Sequence, residues 1–184
     1  STSCARLPAQ AWYVHLGGAK VYRGMKYTSY MVWPVRVGRE PVTVLKTGQS
    51  SCYDADGQNI PCNKTYQDGA LRIGRSWPEP RFTAGNRTVY DQLTGLTWPR
   101  LAARGENRFT WHEALEQIET MKRGHAYGHN DWRMPHIREL ESLVDLGEYA
   151  PALPAGHPFV KVQQFYWSST TSLYETRYAW TLYM

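Results

Sequence analysis

No apolar run in this 184-residue sequence approaches the about 20 residues that a membrane-spanning helix needs. The opening Ser1-Thr2-Ser3 is polar and shows no secretory signal; if the protein is exported, its signal was removed or lies upstream. Charge of one sign is not concentrated. The 21 Lys and Arg against 16 Asp and Glu leave a formal charge of +5, and the basic residues are scattered. A nucleic-acid footprint needs clustering, so nucleic acid is not expected as a partner, while acidic polysaccharide stays open. Cysteine is scarce: Cys4, Cys52 and Cys62 are the whole supply.

Sets of residues that carry chemistry are missing too. Ser168-Ser169-Thr170 has no nucleophile elbow and no evident base partner, so it reads as polar packing on a strand. His125 and His129 have a spacing that would put both imidazoles on one face of a helix. Gly128 and the surrounding composition argue for a loop instead, and no third ligand is evident. Asp54-Ala55-Asp56-Gly57 looks like half of a calcium loop without the later glutamate, which leaves calcium open against a simple turn. The expectation is no enzyme, no metal centre and no cofactor.

What is present is 42% apolar residues, enough for the core of one domain with extensions, and 14% aromatic residues, including 13 Tyr and 8 Trp. Such an aromatic content suits β-rich surfaces, stacking interfaces or sugar binding. Cys52 and Cys62 bracket a turn-rich loop, Tyr53-Asp54-Ala55-Asp56-Gly57-Gln58-Asn59-Ile60-Pro61. A disulfide there closes a short loop, worth about 2–3 kcal/mol on the chain-entropy argument, and implies an oxidising, extracytoplasmic location. Cys4 is left over and reads as buried and inert, with a cross-link between chains as the alternative.

The anchor of the chain is Asn130-Asp131-Trp132-Arg133-Met134-Pro135. Trp132-Arg133-Met134 reads as a short buried strand, preceded by Asp131 as a structural hydrogen-bonding residue rather than a ligand and ended by Pro135, which has no N–H to give. A helix then follows, with Ile137, Leu140, Leu143 and Val144 on one face and Gly147 placed to stop it. Upstream, Thr110 and Glu113 form a capping box that starts a helix over residues 111–123. Val89-Tyr90 and Leu96-Thr97-Trp98 read as strand cores around a turn at Leu93-Thr94-Gly95. The last strands fall near residues 163–167 and 177–184. Trp98, Leu115, Ile118, Trp132, Leu140, Leu143, Trp167 and Trp180 are the expected core, with Arg133 and Pro135 completing the anchor.

Read in order, Asp131-Trp132-Arg133-Met134-Pro135, Arg138-Glu139-Leu140, Leu143-Val144-Asp145, Tyr166-Trp167-Ser168-Ser169-Thr170 and Ala179-Trp180 carry a resemblance. Gly95-Leu96-Thr97-Trp98, Leu153-Pro154-Ala155-Gly156-His157-Pro158-Phe159 and the lead-in Thr47-Gly48-Gln49, Cys52-Tyr53-Asp54-Ala55-Asp56-Gly57 and Pro61-Cys62 belong to it as well. From about Leu45 to Met184 the chain resembles the Lcl C-terminal domain family, named for a bacterial collagen-like adhesin. The resemblance implies an α+β, C-type-lectin-like domain with two helices and short antiparallel strands, and an extracellular or bacterial cell-surface location. The Glu-Pro-Asn and Trp-Asn-Asp triplets of calcium-dependent lectins are absent, since Glu79-Pro80-Arg81 breaks the first and Asn130-Asp131-Trp132 reverses the second. The formylglycine-generating chemistry of the superfamily needs late cysteines, and none follows Cys62.

The start of the chain repeats its end. Ser1-Thr2-Ser3 and Ala11-Trp12-Tyr13-Val14-His15-Leu16 align without gaps on Ser169-Thr170-Thr171 and Ala179-Trp180-Thr181-Leu182-Tyr183-Met184, 168 residues on. Three stretches follow: residues 1–38, the terminal strands of such a domain, either donated to a neighbour or completing this one; 39–77, a disulfide-pinned connector too polar for a second core, with one strand candidate at Val42-Thr43-Val44-Leu45; and 78–184, the body. Trp12, Val14 and Leu16 share one face of the first strand, and Met31, Trp33 and Val35 one face of the last. An unfinished sheet is a template for another strand. These six are therefore the expected assembly residues of a fibre subunit or tandem repeat that joins copies of itself head-to-tail by strand complementation. The alternative is an adhesin module for acidic glycans such as glycosaminoglycans.

Overall fold

The computed structural model describes residues 2–18, 20–32, 34–36, 43–63, 65–102 and 108–184. The chain is mixed α and β, with few helices and several short antiparallel sheets. It forms two compact units: Ser1–Trp77 with Asp145–Pro154, and Pro78–Val144 with Ala155–Met184.

In the first unit, β1 (Ser3–Cys4), β2 (Leu7–His15) and β3 (Lys20–Met25) make one antiparallel sheet in the order β1-β2-β3. β4 (Cys52–Tyr53) and β5 (Asn59–Ile60) make a hairpin inside the loop closed by the Cys52–Cys62 disulfide, with sulfurs 2.09 Å apart. The carboxylate of Asp54 accepts the N–H groups of Asp56 and Gln58 at 3.0 and 2.8 Å, the turn chemistry that seats this hairpin. A one-turn helix, α1 (Asp68–Leu71), follows. Residues 39–77 were expected to be too polar for a second core, yet in this unit Cys4, Cys52 and Leu153 are buried with Ser3, Gln49 and Asp145. The Gln49 carboxamide is tolerated because both of its ends bond the Ser3 main chain, and the Asp145 carboxylate accepts the Gly147 N–H at 2.8 Å. Leu45 makes one parallel bridge to Arg75 in place of the expected strand, whose first residue, Val42, lies outside the described residues. Cys4 is buried and free.

In the second unit, β6 (Phe82–Ala84), β7 (Thr88–Asp91) and β8 (Leu96–Pro99) form an antiparallel meander, one strand more than the sequence suggested. The helix α2 (Trp111–Arg123) has the expected bounds and cap: Thr110 Oγ1 accepts the Glu113 N–H at 3.3 Å, and Glu113 Oε2 accepts the Thr110 N–H at 2.7 Å. The helix α3 (Ile137–Ser142) is shorter than expected. Asp145 and Leu146 give their N–H groups to Ala152 and Thr47, so the helical ladder cannot run on to Gly147. β9 (Phe165–Thr171) and β10 (Ala179–Tyr183) pair antiparallel, and α3 packs against both.

Three expectations need correction. Trp132-Arg133-Met134 is not a strand; its motif reaches β9 through a single main-chain bond among the described residues, Ser169 N–H to Pro135 C=O at 2.9 Å. Asp131 is exposed and holds nothing by hydrogen bonds among the described residues. The buried apolar side chains are Val89, Leu93, Met134, Leu140, Leu143, Leu182 and Met184, so of the expected core Leu140 and Leu143 are buried. Trp98, Leu115, Ile118, Trp132, Trp167 and Trp180 are half-buried around it. Two indoles reach main-chain acceptors, Trp111 Nε1 donating to Ser168 O and Trp167 Nε1 to Phe109 O, both at 2.9 Å, while Trp98 Nε1 is buried with no acceptor among the described residues. Large rings with one polar edge favour this half-buried position.

Candidate functional site

The two signature stretches of the second unit meet. Besides the Ser169–Pro135 bond, the Ile137 N–H at the start of α3 donates to Thr170 Oγ1 at 3.1 Å. Ser168 is fully buried, and its hydroxyl donates to the Trp180 carbonyl at 2.8 Å. Ser168, Ser169 and Thr170 of β9 are thus joint pieces. Arg133 lies at the surface and anchors by charge: both guanidinium nitrogens bond the Glu139 carboxylate, which also accepts the His136 N–H at 2.9 Å. The Arg133 hydrogen bonds hold the Glu139 carboxyl below the ordinary carboxylate range, against the opposing effect of burial. A depressed carboxylate stabilises the fold at pH values above its unfolded pKa and loses that contribution as pH falls through the folded one. Glu139→Gln is therefore expected to lower Tm at pH 7, with a gap to the parent that closes as pH falls below the ordinary carboxylate range. Thermal melts from pH 7 to 3 check this; a gap that stays constant across the range contradicts it.

In the first unit the lead-in grips the opening hairpin. The Gln49 carboxamide bridges one residue of β1: Ser3 N–H donates to Gln49 Oε1 and Gln49 Nε2 donates to Ser3 O, both at 2.8 Å. Thr2 and Thr47 hydroxyls both donate to Asp68 Oδ2, at 2.8 and 2.5 Å. Lys26 Nζ, just beyond β3, donates to the Tyr53 and Asp54 carbonyls at 3.0 Å. Burial pushes this ammonium below its ordinary value, opposed by Asp54. One glycine lets the lead-in approach the hairpin closely and another lets it pack on itself. A Cβ on Gly57, at φ +86°, would sit 2.6 Å from the Ala9 nitrogen, and one on Gly69 2.2 Å from the Ser51 carbonyl oxygen.

The repeat seen in the sequence extends to one cross-strand pair. Ser3 pairs with Ala11 across β1–β2, and Thr171 pairs with Ala179 across β9–β10, the same pair one period on. Trp12 N–H to Thr2 C=O at 3.0 Å and Ser172 N–H to Tyr178 C=O at 2.8 Å make both of them non-hydrogen-bonded pairs with the register breaking beside them. The hairpins differ in their neighbours. β2 has β3 on its far side, with Tyr13 opposite Tyr22 and Trp12 opposite Arg23. β10 has no strand on its far side among the described residues. Of the expected assembly residues, Trp12 and Val14 lie on β2, which is flanked on both edges, and Leu16 opens the short 3-10 turn after it. Met31 and Val35 lie outside strands and are 99% and 96% exposed; Trp33 lies outside the described residues.

Each unit has a shallow cleft. The first, of about 320 Å³, is lined by Lys26, Tyr53, Asp54 and Gln67, whose polar groups already serve the lead-in. The second, of about 330 Å³, is lined by Asn86, Arg87, Arg100, Leu101, Tyr127 and Val160. The two arginines are 13 residues apart in sequence and gave no signal there. The β7–β8 register brings them together, with the Arg100 N–H bonded to the Arg87 carbonyl at 2.9 Å. The Arg87 guanidinium stands 4.6 Å from the Tyr127 ring centre, and neither arginine has a carboxylate partner among the described residues.

Among the described residues no three His, Cys, Asp or Glu side chains gather as a metal site, and no helix is long and apolar enough to cross a membrane. His125 and His129 flank a single 3-10 turn, with the His129 ring edge-on to Trp132 at 5.7 Å. No curated protein and no solved structure matches the chain. The Lcl C-terminal domain does match, over residues 87–184, and suggests an extracellular, surface-associated role. That span is just over half of the chain and takes in the junction of the two signatures, β7 to β10 and the arginine cleft: the chain belongs to the Lcl C-terminal domain family.

Proposed function

We propose that the chain is a structural module of an extracellular surface fibre, a subunit or one stretch of a tandem array, in which strands from a neighbouring module complete an open sheet. The observation that carries this is the pair of hairpins that share one residue pair a period apart, the first with β3 along its second strand and the second with no strand there among the described residues. A bare edge presents unpaired N–H and C=O groups to an incoming strand. Helices and short antiparallel sheets of this kind also support the C-type-lectin-like reading of the fold. The role requires no catalytic group, cofactor or metal, and takes copies of the same module as partners.

On β10 the Met184 N–H to Gln164 C=O bond sets the phase, so the main-chain groups of Thr181 and Tyr183 face outward. Thr181→Pro removes an outward donor and leaves the β9 ladder intact. Electron microscopy of the purified chain is expected to show filaments, and the Thr181→Pro chain, folded by circular dichroism, is expected to show none. Dispersed monomers of the parent chain at high concentration, or filaments unaffected by the proline, overturn the reading.

A second reading, an adhesin module for acidic glycans, is favoured by the Arg87–Arg100 cleft. Guanidinium pairs bind carboxylate and sulfate well because their donors are planar and forked. Retention on immobilised heparin is expected to fall when both arginines become alanine; unchanged retention removes this reading.

A further inference from the structure

The two hairpins differ in a second respect, on the opposite edge from β10. At the first, the outward N–H and C=O of Ser3 are bridged by the Gln49 carboxamide, and Ser3 is 1% exposed. Thr171 occupies the same place in the second hairpin. It is half of the same non-hydrogen-bonded pair, so its own N–H and C=O also point away from the partner strand. Those two groups meet no partner among the described residues, and Thr171 is exposed. Beside it, the Thr170 hydroxyl accepts the Ile137 N–H at 3.1 Å and keeps its own proton to give. Its counterpart Thr2 gives that proton to Asp68 at 2.8 Å.

We infer that the edge of β9 at Thr170 and Thr171 is a docking position for the lead-in of a further copy of the module. Its Thr-Gly-Gln carboxamide bridges Thr171 and its α1 aspartate takes the Thr170 hydroxyl, as Gln49 and Asp68 do at Ser3 and Thr2. What covers this edge is identified by what covers the same edge one period earlier in the same chain. The lead-in is then an intermodule clasp: the disulfide loop, Gly57 and Gly69 shape a segment that grips the terminal hairpin of the module before it. This rests on the repeating-module reading but uses the edge of the sheet opposite to β10.

The test uses the full chain and a synthetic peptide of residues 43–77 with the Cys52–Cys62 bond formed. Saturable binding of one peptide per chain is expected, with slowed hydrogen exchange at the Thr171 amide. A Gln49→Ala peptide is expected to bind about tenfold or more weakly, having lost a two-bond bridge. Thr171→Pro in the chain removes the outward donor, keeps the extended backbone and spares the β10 ladder, so it is expected to abolish binding without unfolding the sheet. Absence of saturable binding, equal binding of the Gln49→Ala peptide, or binding that survives Thr171→Pro overturns the clasp. Filaments that persist while the peptide fails to bind overturn the clasp alone; peptide binding by a chain that never polymerises supports the clasp and overturns the fibre.

Discussion

Asp91→Ala is expected to destabilise the second unit by about 3–5 kcal/mol, the usual result of removing one partner from a buried ion pair. Asp91 is fully buried and Arg81 is 6% exposed. The Asp91 carboxylate accepts Arg81 Nε at 3.2 Å, Arg81 Nη2 at 3.0 Å, the Leu93 N–H at 3.0 Å and the Thr94 hydroxyl at 3.0 Å. Arg81 Nη2 continues to the Ser142 carbonyl at 2.6 Å, at the end of α3. Alanine would take the Asp91 carboxylate away from a buried guanidinium and strip the acceptor that shapes the Leu93-Thr94-Gly95 turn. The attraction itself is not the main source of the cost, because two charges taken from water recover little net free energy when paired. A double variant, Arg81→Met with Asp91→Leu, is therefore expected to be closer to the parent than Asp91→Ala is. Urea unfolding followed by tryptophan fluorescence measures both; a loss under about 1 kcal/mol for Asp91→Ala would mean that water reaches the pair in solution.

Trp132→Ala is expected to cost about 3 kcal/mol, the lower end for a buried aromatic truncated to alanine. The lower end applies because the indole is half-buried. Its Nε1 donates to the Ala126 carbonyl at 2.7 Å, and Tyr127 and His129 meet it edge-on at 6.0 and 5.7 Å. Truncation removes the apolar area and leaves the Ala126 carbonyl without this donor. Trp132→Phe keeps most of the area and loses the bond, so it is expected to fall between the two. Unchanged thermal stability of Trp132→Ala would remove this residue from the account of what holds the turn over Ala126–Gly128.

Local features were legible because their causes are local. The Thr110–Glu113 capping box and the helix it starts depend on side chains three residues apart, and the structure has them as read. The disulfide depends on two cysteines bracketing a turn-rich loop, and it is formed. Met134 is buried as a strand reading of Trp132-Arg133-Met134 would have it, but apolar spacing over three residues does not separate a strand from an extended segment lying beside one. The length of α3 was misjudged for a related reason. Its apolar face continues through Val144, while its end is decided by where Asp145 and Leu146 send their N–H groups.

By itself the sequence determined the family motifs, the α2 cap, the disulfide and the one-period repeat, since each is a matter of residue type and spacing along the chain. Only the tertiary structure decided that Arg81 and Asp91 are a buried pair, that Arg87 and Arg100 share a cleft, and that Gln49 bridges Ser3 while Thr171 stands open. These depend on strand register and on which way each peptide group faces. A single residue of slip reverses both, and the composition around these positions is the same either way.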